Sequence, residues 1–303
     1  MIRKPLAEAL IDSLTRHMGA DYSAASFQPH GAGCINDTYK VVGNVKEPVF
    51  LKVGTFDALA MYQTEAKGLA LLAQCEAIRI PQMLFCEQME NHSVLALEYI
   101  ELQPLGPTQA QRFGQGLAQL HSITAQQFGL DHNNFIGRTP QINQRCDSWW
   151  DFFSQMRLTP QKKLALLKGL RSQVLAQLDL LIECVGDAMQ QRMEGQTIHA
   201  SLLHGDLWNG NVAVDEGGKP VIYDPAVYFG DAETDIAMSK MFGALPQGVY
   251  EAYHEVHPPG PCIALRHQLY DLYHWLNHFN LFGVTYLGQV ENTLQSVLSQ
   301  LEQ

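Results

Sequence analysis

Apolar positions in the first hundred residues come in short runs. Asp37 to Val42, Val49 to Val53, Met83 to Glu87 and Val94 to Ile100 each place β-branched, aromatic or other apolar residues between turn formers, a pattern that predicts strands. Asp57 to Gln74 has helical spacing instead, and the N-terminal stretch from Met1 to Asp12 reads as an amphipathic surface helix. This part predicts a small sheet with helix beside it. The pattern then changes. Leu102-Gln103-Pro104-Leu105-Gly106-Pro107 suits neither a helix interior nor a central strand, so it reads as a linker. Beyond it Thr108 is a candidate N-cap, and Phe113, Leu117 and Leu120 recur at helical spacing, which predicts a helix over 109–122 with one buried face. Residues 161–193 predict a further helix, with Leu164, Leu167, Leu170, Val174, Leu178 and Leu181 as its core stripe. The C-terminal segment is helical too.

A β-rich insert interrupts these helices. Ser201 to His204, Asn211 to Asp215 and Pro220 to Asp224 read as strands, and Glu216-Gly217-Gly218 joins the last two as a hairpin. The polar residues at the two ends of that hairpin are unexpected for strand termini, which makes them the first candidates for chemistry. The expected organisation is a lobe over 1–98, a hinge over 99–107 and a larger, mainly helical lobe over 108–303.

Composition narrows the function. The chain has 303 residues, 46% hydrophobic and 17% charged, enough for a sizeable core. Its formal charge of -11 argues against a nucleic-acid or anionic-membrane binder, which needs clustered Lys and Arg. A neutral or cationic ligand would be better received. The six cysteines stand far apart, without CxxC pairs or zinc-ligand spacing, so reduced thiols in a cytoplasmic protein are expected. No stretch reaches the length of a membrane helix. Whether the chain is a monomer or a dimer is open at this level.

Phosphoryl transfer asks a protein to position phosphates, neutralise charge and orient a hydroxyl. In His204-Gly205-Asp206-Leu207-Trp208-Asn209-Gly210-Asn211, Asp206 precedes Asn211 by the spacing of a kinase base and metal-binding Asn, and Asp224 follows at the far end of the hairpin. Asp206 is the expected catalytic base, and Asn211 and Asp224 are the expected magnesium ligands. Each Asp alone could equally be a turn residue satisfying local backbone groups. Gly31-Ala32-Gly33-Cys34-Ile35-Asn36 precedes a strand and could cover phosphates with backbone N–H groups, with Gly31, Gly33 and Asn36 as its key positions; a plain turn explains the glycines nearly as well. Lys52 is a cation in an apolar strand, costly to bury without partners. A phosphate and a carboxylate would supply them. Glu98, Tyr99 and Ile100, before the linker, stand where backbone groups could bind adenine.

The ordered motifs resemble the fructosamine kinase family, within the aminoglycoside and choline phosphotransferase-like kinases. The resemblance rests on the loop from His204 to Asn211, on Phe135-Ile136-Gly137, on Trp149-Trp150-Asp151-Phe152-Phe153 with Arg157-Leu158, on Gly230 to Met238, and on Leu272 to Gly283. It implies an α+β, protein-kinase-like bilobal fold, ATP and Mg2+ as cofactors, and phosphorylation of the 3-hydroxyl of a ketoamine, free or protein-bound. It also implies Glu65 as the carboxylate partner of Lys52, although Glu65 and Lys67 could simply lie on a solvated helix face. His204 and Asp235 are expected to support the catalytic loop, and Trp208 to wall the substrate site. An alternative acceptor is an aminoglycoside or choline, with Trp150 and Trp208 caging its cation. A nucleotide-binding pseudokinase is a further alternative, disfavoured by the intact Lys52, Asp206, Asn211 and Asp224. His274 and His278 mimic a metal pair but lack a third ligand at motif spacing. Cys34, inside the glycine loop, is either a small buried hydrophobe or a redox-sensitive thiol.

Overall fold

The computed structural model describes residues 2–31, 37–43, 47–89 and 91–302. Gly33, Cys34 and Asn36 therefore lie outside the described residues.

The chain begins with α1 (Lys4–Met18), which has Pro at its first turn and ends on Gly19 in the left-handed region, φ 64°. The strands β1 (Ser26–Pro29), β2 (Asp37–Val42), β3 (Val49–Thr55), β4 (Met83–Met89) and β5 (His92–Glu98) form one antiparallel sheet in the order β1-β2-β3-β5-β4. Between β3 and β4 a short 3-10 turn leads into α2 (Leu59–Leu72). The two faces of the sheet are covered differently. Leu51 and Val53 of β3 pack with Leu10 and Leu14 of α1, whereas Leu95 and Leu97 of β5 pack with Tyr62 and Leu69 of α2. Because strand side chains alternate, Lys52 points away from the α1 face and towards α2.

A second, larger and mainly helical lobe follows. It comprises α3 (Pro107–His121), the short strands β6 (Thr124–Ala125), β7 (Asn134–Ile136) and β8 (Thr139–Gln141), then α4 (Trp149–Phe152), α5 (Thr159–Leu167) and α6 (Ser172–Arg192). Next come β9 (Ala200–Leu203), β10 (Val212–Val214), β11 (Pro220–Ile222), β12 (Tyr228–Gly230), α7 (Glu233–Met241), α8 (Gln247–His254), α9 (Ile263–Phe282) and α10 (Leu287–Leu301). The predicted hairpin is present, with β10 pairing β11. The strand before it does not join it; β9 lies between β12 and β6 in a separate sheet. Among the described residues no helix is long and apolar enough to cross a membrane.

Three sequence expectations are corrected. The first helix beyond the linker is capped at Gly106 with Pro107 in its first turn, and Thr108 lies inside it. The helix expected over 161–193 is two helices, broken at Gly169, whose φ of 82° no helix can continue through. Before the break the stripe is displaced: Leu167 is 82% exposed, Leu164 is only half-buried and Ala165 takes the core position, whereas Leu170, Val174, Leu178 and Leu181 are buried as expected.

The hairpin is also tied to the chain that leaves the sheet. Gln103 exchanges two backbone hydrogen bonds with Val214 (2.8 and 2.9 Å), and the Arg79 N–H donates to the Pro220 carbonyl at 2.7 Å. The Arg79 guanidinium bonds both Glu98 and Asp215, the latter at 2.8 Å. From the other side α2 approaches closely at Gly68, where a Cβ would meet the Val227 side chain at 3.1 Å. These contacts set the walls of the cleft between the lobes.

Candidate active site

The cleft holds about 540 Å³ and is lined by Gly31, Lys52, Glu65, Glu98, Tyr99 and Ile100 from the sheet side, and by Asp206, Trp208, Asn211 and Asp224 from the hairpin side. Residues more than 150 positions apart in the chain thus converge. A second depression, lined by Cys75, Glu76, Arg79 and Lys219 among others, contains none of the candidate residues.

Lys52 is buried and makes two ion pairs, with Glu65 at 2.7 Å and with Asp224 at 2.5 Å. Burial works against its charge, but the two carboxylates outweigh it and hold the ammonium protonated, above the usual lysine range. Burial raises the Glu65 carboxyl, with Lys52 opposing. Asp224 differs: its side chain is 48% exposed, and its backbone sits at φ 56°, a left-handed conformation that Asp tolerates better than bulky residues do.

At the other end of the hairpin, Asn211 donates its amide to the Asp206 backbone carbonyl at 2.9 Å and to the Asp206 carboxylate at 3.3 Å. The amide oxygen of Asn211 is thereby left for another partner. Burial, then the charge of Asp224, pushes the Asp206 carboxyl up to about 7, with the Asn211 amide opposing. The loop is braced from below. Asp235 accepts from the backbone N–H of His204 at 2.7 Å and of Gly205 at 2.9 Å. Burial alone would raise its pKa, but hydrogen bonds led by that from His121 win and hold it below the usual range. Burial also lowers the His204 pKa, which keeps the imidazole neutral, and its Nε2 contacts the Tyr223 carbonyl at 2.9 Å. Gly205 is required here: its φ is 81°, and a Cβ would stand 2.1 Å from the Ala226 carbonyl oxygen.

The adenine candidates lie along the rim. The Glu98 N–H is used by the Gln82 carbonyl at 2.8 Å, and the Lys40 ammonium sits 4.0 Å over the Tyr99 ring. Trp208 lines the cleft and packs edge-on against Phe242, with 5.9 Å between centroids. Trp150 does not belong to this wall. It is buried in the helical core against Trp149 and Phe153, so the cage of Trp150 and Trp208 does not exist. The ring nitrogens of His274 have no hydrogen-bond partner among the described residues and burial holds the ring neutral, and His278 packs against Phe242, Phe282 and Tyr286. No metal-holding cluster of His, Cys, Asp and Glu occurs among the described residues.

Two parts of the site escaped sequence reasoning. His121 bonds Asp235 at 3.3 Å and the Tyr253 hydroxyl at 2.8 Å. At the end of α3 it carries no local signal other than being a buried polar residue. Asn134 lines the cleft from a hairpin too short to show periodicity, beside Phe135 and Gly137 of the Phe135-Ile136-Gly137 motif, to which no role was given.

Comparison with known proteins decides the family. The fructosamine kinase family model matches residues 6–300. The chain belongs to the fructosamine kinase family. It is 36% identical to a probable ketoamine kinase of Synechocystis, over 96% of both chains. It is 34% identical to the chloroplastic protein-ribulosamine 3-kinase of Arabidopsis thaliana, covering 90% of this chain and 82% of that one. A candidate fructosamine-3-kinase from Haemophilus somnus superposes with a TM-score of 0.85 at 28% identity, over 95% of this chain and 96% of that one. The aminoglycoside phosphotransferase APH(4)-Ia shares the fold alone, with a TM-score of 0.64 at 16% identity. Membership makes the chain a kinase, an enzyme that transfers a phosphoryl group, with the bilobal protein-kinase-like fold.

Proposed function

We propose that this fructosamine-family kinase transfers the γ-phosphoryl group of ATP to the 3-hydroxyl of the sugar part of a ketoamine, free or protein-bound. The observation that carries the reading is the convergence in one cleft of Lys52, held between Glu65 and Asp224, with Asp206 and Asn211. The names of the related proteins supply the acceptor class.

The site is suited to magnesium. The Asp224 carboxylate and the Asn211 amide oxygen are hard donors, and two protein ligands leave room for phosphate oxygens. When bound, the ion neutralises phosphate charge during transfer. Lys52 would give one of its carboxylate contacts over to the nucleotide phosphates and keep Glu65 as its anchor. Asp206, with a pKa near 7, is matched to accepting the acceptor hydroxyl's proton at its carboxylate oxygen. Trp208 would flank the sugar. Residues 1–98 would serve as the nucleotide lobe, 99–107 as the hinge, and the Glu98 to Ile100 backbone as the adenine contact. Gly31, at φ 81°, would begin the phosphate-covering turn. The thiols of Cys75, Cys86, Cys146, Cys184 and Cys262 are free, which suits a reducing cytoplasm.

The test is mass spectrometry of a fructosylated and a ribulosylated lysine peptide after incubation with the protein and MgATP. A gain of one phosphoryl group on the sugar is expected, and phosphorus-coupled NMR of the product locates it. No gain on either peptide would remove the ketoamine reading.

A further inference from the structure

The stretch from Trp149 to Leu158 places no side chain in the cleft, yet it contains an uncommon turn. α4 passes into a π-helix over Phe153–Leu158, a local widening often found near functional sites. On it sits Arg157, which is 1% exposed and forms no ion pair with any described residue. Its guanidinium is held by rings and neutral oxygens instead. It lies 4.0 Å from the Tyr228 ring centroid and 4.6 Å from that of Phe152. Nη1 donates to the Ile142 carbonyl at 2.6 Å, and Nη2 to Asn143 Oδ1 at 2.8 Å. A buried cation without a counter-ion is costly, and packing alone would be served as well by an apolar residue.

The bonds beyond Asn143 lead to the cleft. Asn143 donates to Asn134 Oδ1 at 2.7 Å, and Asn134 donates to the Val227 carbonyl at 2.8 Å. Gln141 donates to the same Asn134 oxygen at 2.8 Å and to the Ala226 carbonyl at 3.0 Å. Ala226 and Val227 follow Asp224 within three residues. Arginine can only donate, so it forces Asn143 to present its oxygen backwards and its NH2 forwards. The Ala226 and Val227 carbonyls can only accept, so the donor end at Arg157 and the acceptor end beyond Asp224 impose one polarity on Asn143 and Asn134 between them, while Gln141 joins at Asn134 and is itself held by the Tyr273 hydroxyl.

We propose that Arg157 is a positioning residue for the kinase reaction: it anchors the donor end of the amide relay through Asn143 and Asn134, which Gln141 joins, and so holds the carbonyls of Ala226 and Val227 and the Asp224 carboxylate upstream of them. The inference rests on the reading of Asp224 as a metal ligand in phosphoryl transfer.

Asn143→Asp is the discriminating variant. It keeps the volume and pairs Arg157 with a charge, but it cannot donate to Asn134. Arg157→Met removes the guanidinium and keeps an apolar stem, and Arg157→Lys restores a donor. The readout is calorimetric binding of AMP-PNP over a Mg2+ series, with thermal unfolding in parallel. In Asn143→Asp and Arg157→Met the half-saturating Mg2+ concentration should rise roughly 10-fold, the scale of losing an outer partner of a metal ligand, with partial recovery in Arg157→Lys. Should Arg157→Met fail to fold, Asn143→Asp decides alone. A wild-type Mg2+ dependence in folded Asn143→Asp overturns the inference, whatever its thermal stability. Wild-type protein that binds no AMP-PNP at any Mg2+ concentration would sink the phosphoryl-transfer reading itself, and the inference with it.

Discussion

The two ends of the β10–β11 hairpin hold their aspartates by opposite means. Asp206 stands on a loop whose backbone is gripped from within the helical lobe, by Asp235 on α7 and through it by His121 on α3. Asp224 is half-exposed, left-handed in its backbone, and tied across the cleft by Lys52 to the sheet lobe. One is fixed by hydrogen bonds within the helical lobe, and the other by an ion pair between the two lobes. On the proposed function, the difference would separate two tasks: an acceptor site that must stay in register, and a nucleotide site that must rearrange when phosphates arrive.

That contrast can be broken in a graded way. Asp206→Asn should reduce turnover by roughly 10²–10⁴ while the protein still folds and binds nucleotide near wild type. Near-normal turnover in this variant would remove Asp206 from the mechanism. Substitutions at the other end should fail differently. Asp224→Ala should weaken Mg2+-dependent nucleotide affinity by more than about 10-fold, since even outer partners of a metal ligand cost that much. Calorimetry giving an unchanged affinity would contradict the assignment. Lys52→Met should raise the KM for ATP and lower kcat, together costing kcat/KM about 10–100-fold, the worth of a charge-assisted hydrogen bond. Steady-state kinetics indistinguishable from wild type would make Lys52 merely structural.

Stability offers a smaller and more selective pair of tests. Asp235→Ala leaves the His204 and Gly205 N–H groups without their acceptor, at about 1–3 kcal/mol for each buried donor. Denaturant unfolding should therefore show a loss that Asp235→Asn, which keeps one acceptor oxygen, only partly reproduces. The last test concerns pH. The Asp206 carboxyl is raised in the folded state from 3.8 to about 7, so the folded state holds its proton more tightly than the unfolded chain does. Its ionisation thus costs stability progressively as pH rises from about 4 to 7, and the full cost is present above 7. Asp206→Asn should accordingly unfold at a higher temperature than wild type at pH 8, with the gap closing at pH 4. A constant gap across that range would argue that the carboxyl is not raised. The same ionisation predicts that wild-type kcat/KM falls as pH drops through about 7.

Much of this was legible in the chain. Four of the five strands of the first lobe show because each crosses a buried sheet, where alternation or a continuous apolar run is unavoidable; β1, an edge strand that is mostly exposed, carries no such pattern and was missed. The hairpin shows because its Gly-Gly turn and polar ends are local. The pairing of β9 with β6 and β12 was not legible, because strands of two to four residues carry no period. The break at Gly169 was missed for a related reason: a leucine-rich stretch looks continuous until one backbone angle turns it.

For the site, the sequence by itself determined which side chains are present and in what order: Lys52 in an apolar strand, then Asp206, Asn211 and Asp224 around a hairpin. Which kinds of donor, acceptor and charge they offer depends only on residue type. Tertiary structure decided the rest. It closed Lys52 onto Asp224 across 172 positions, removed Trp150 to the core, recruited His121 beneath the loop and set Arg157 behind it. Such choices depend on which distant surfaces exclude water together. Burial of that kind belongs to the assembled fold, and no local window of sequence contains it.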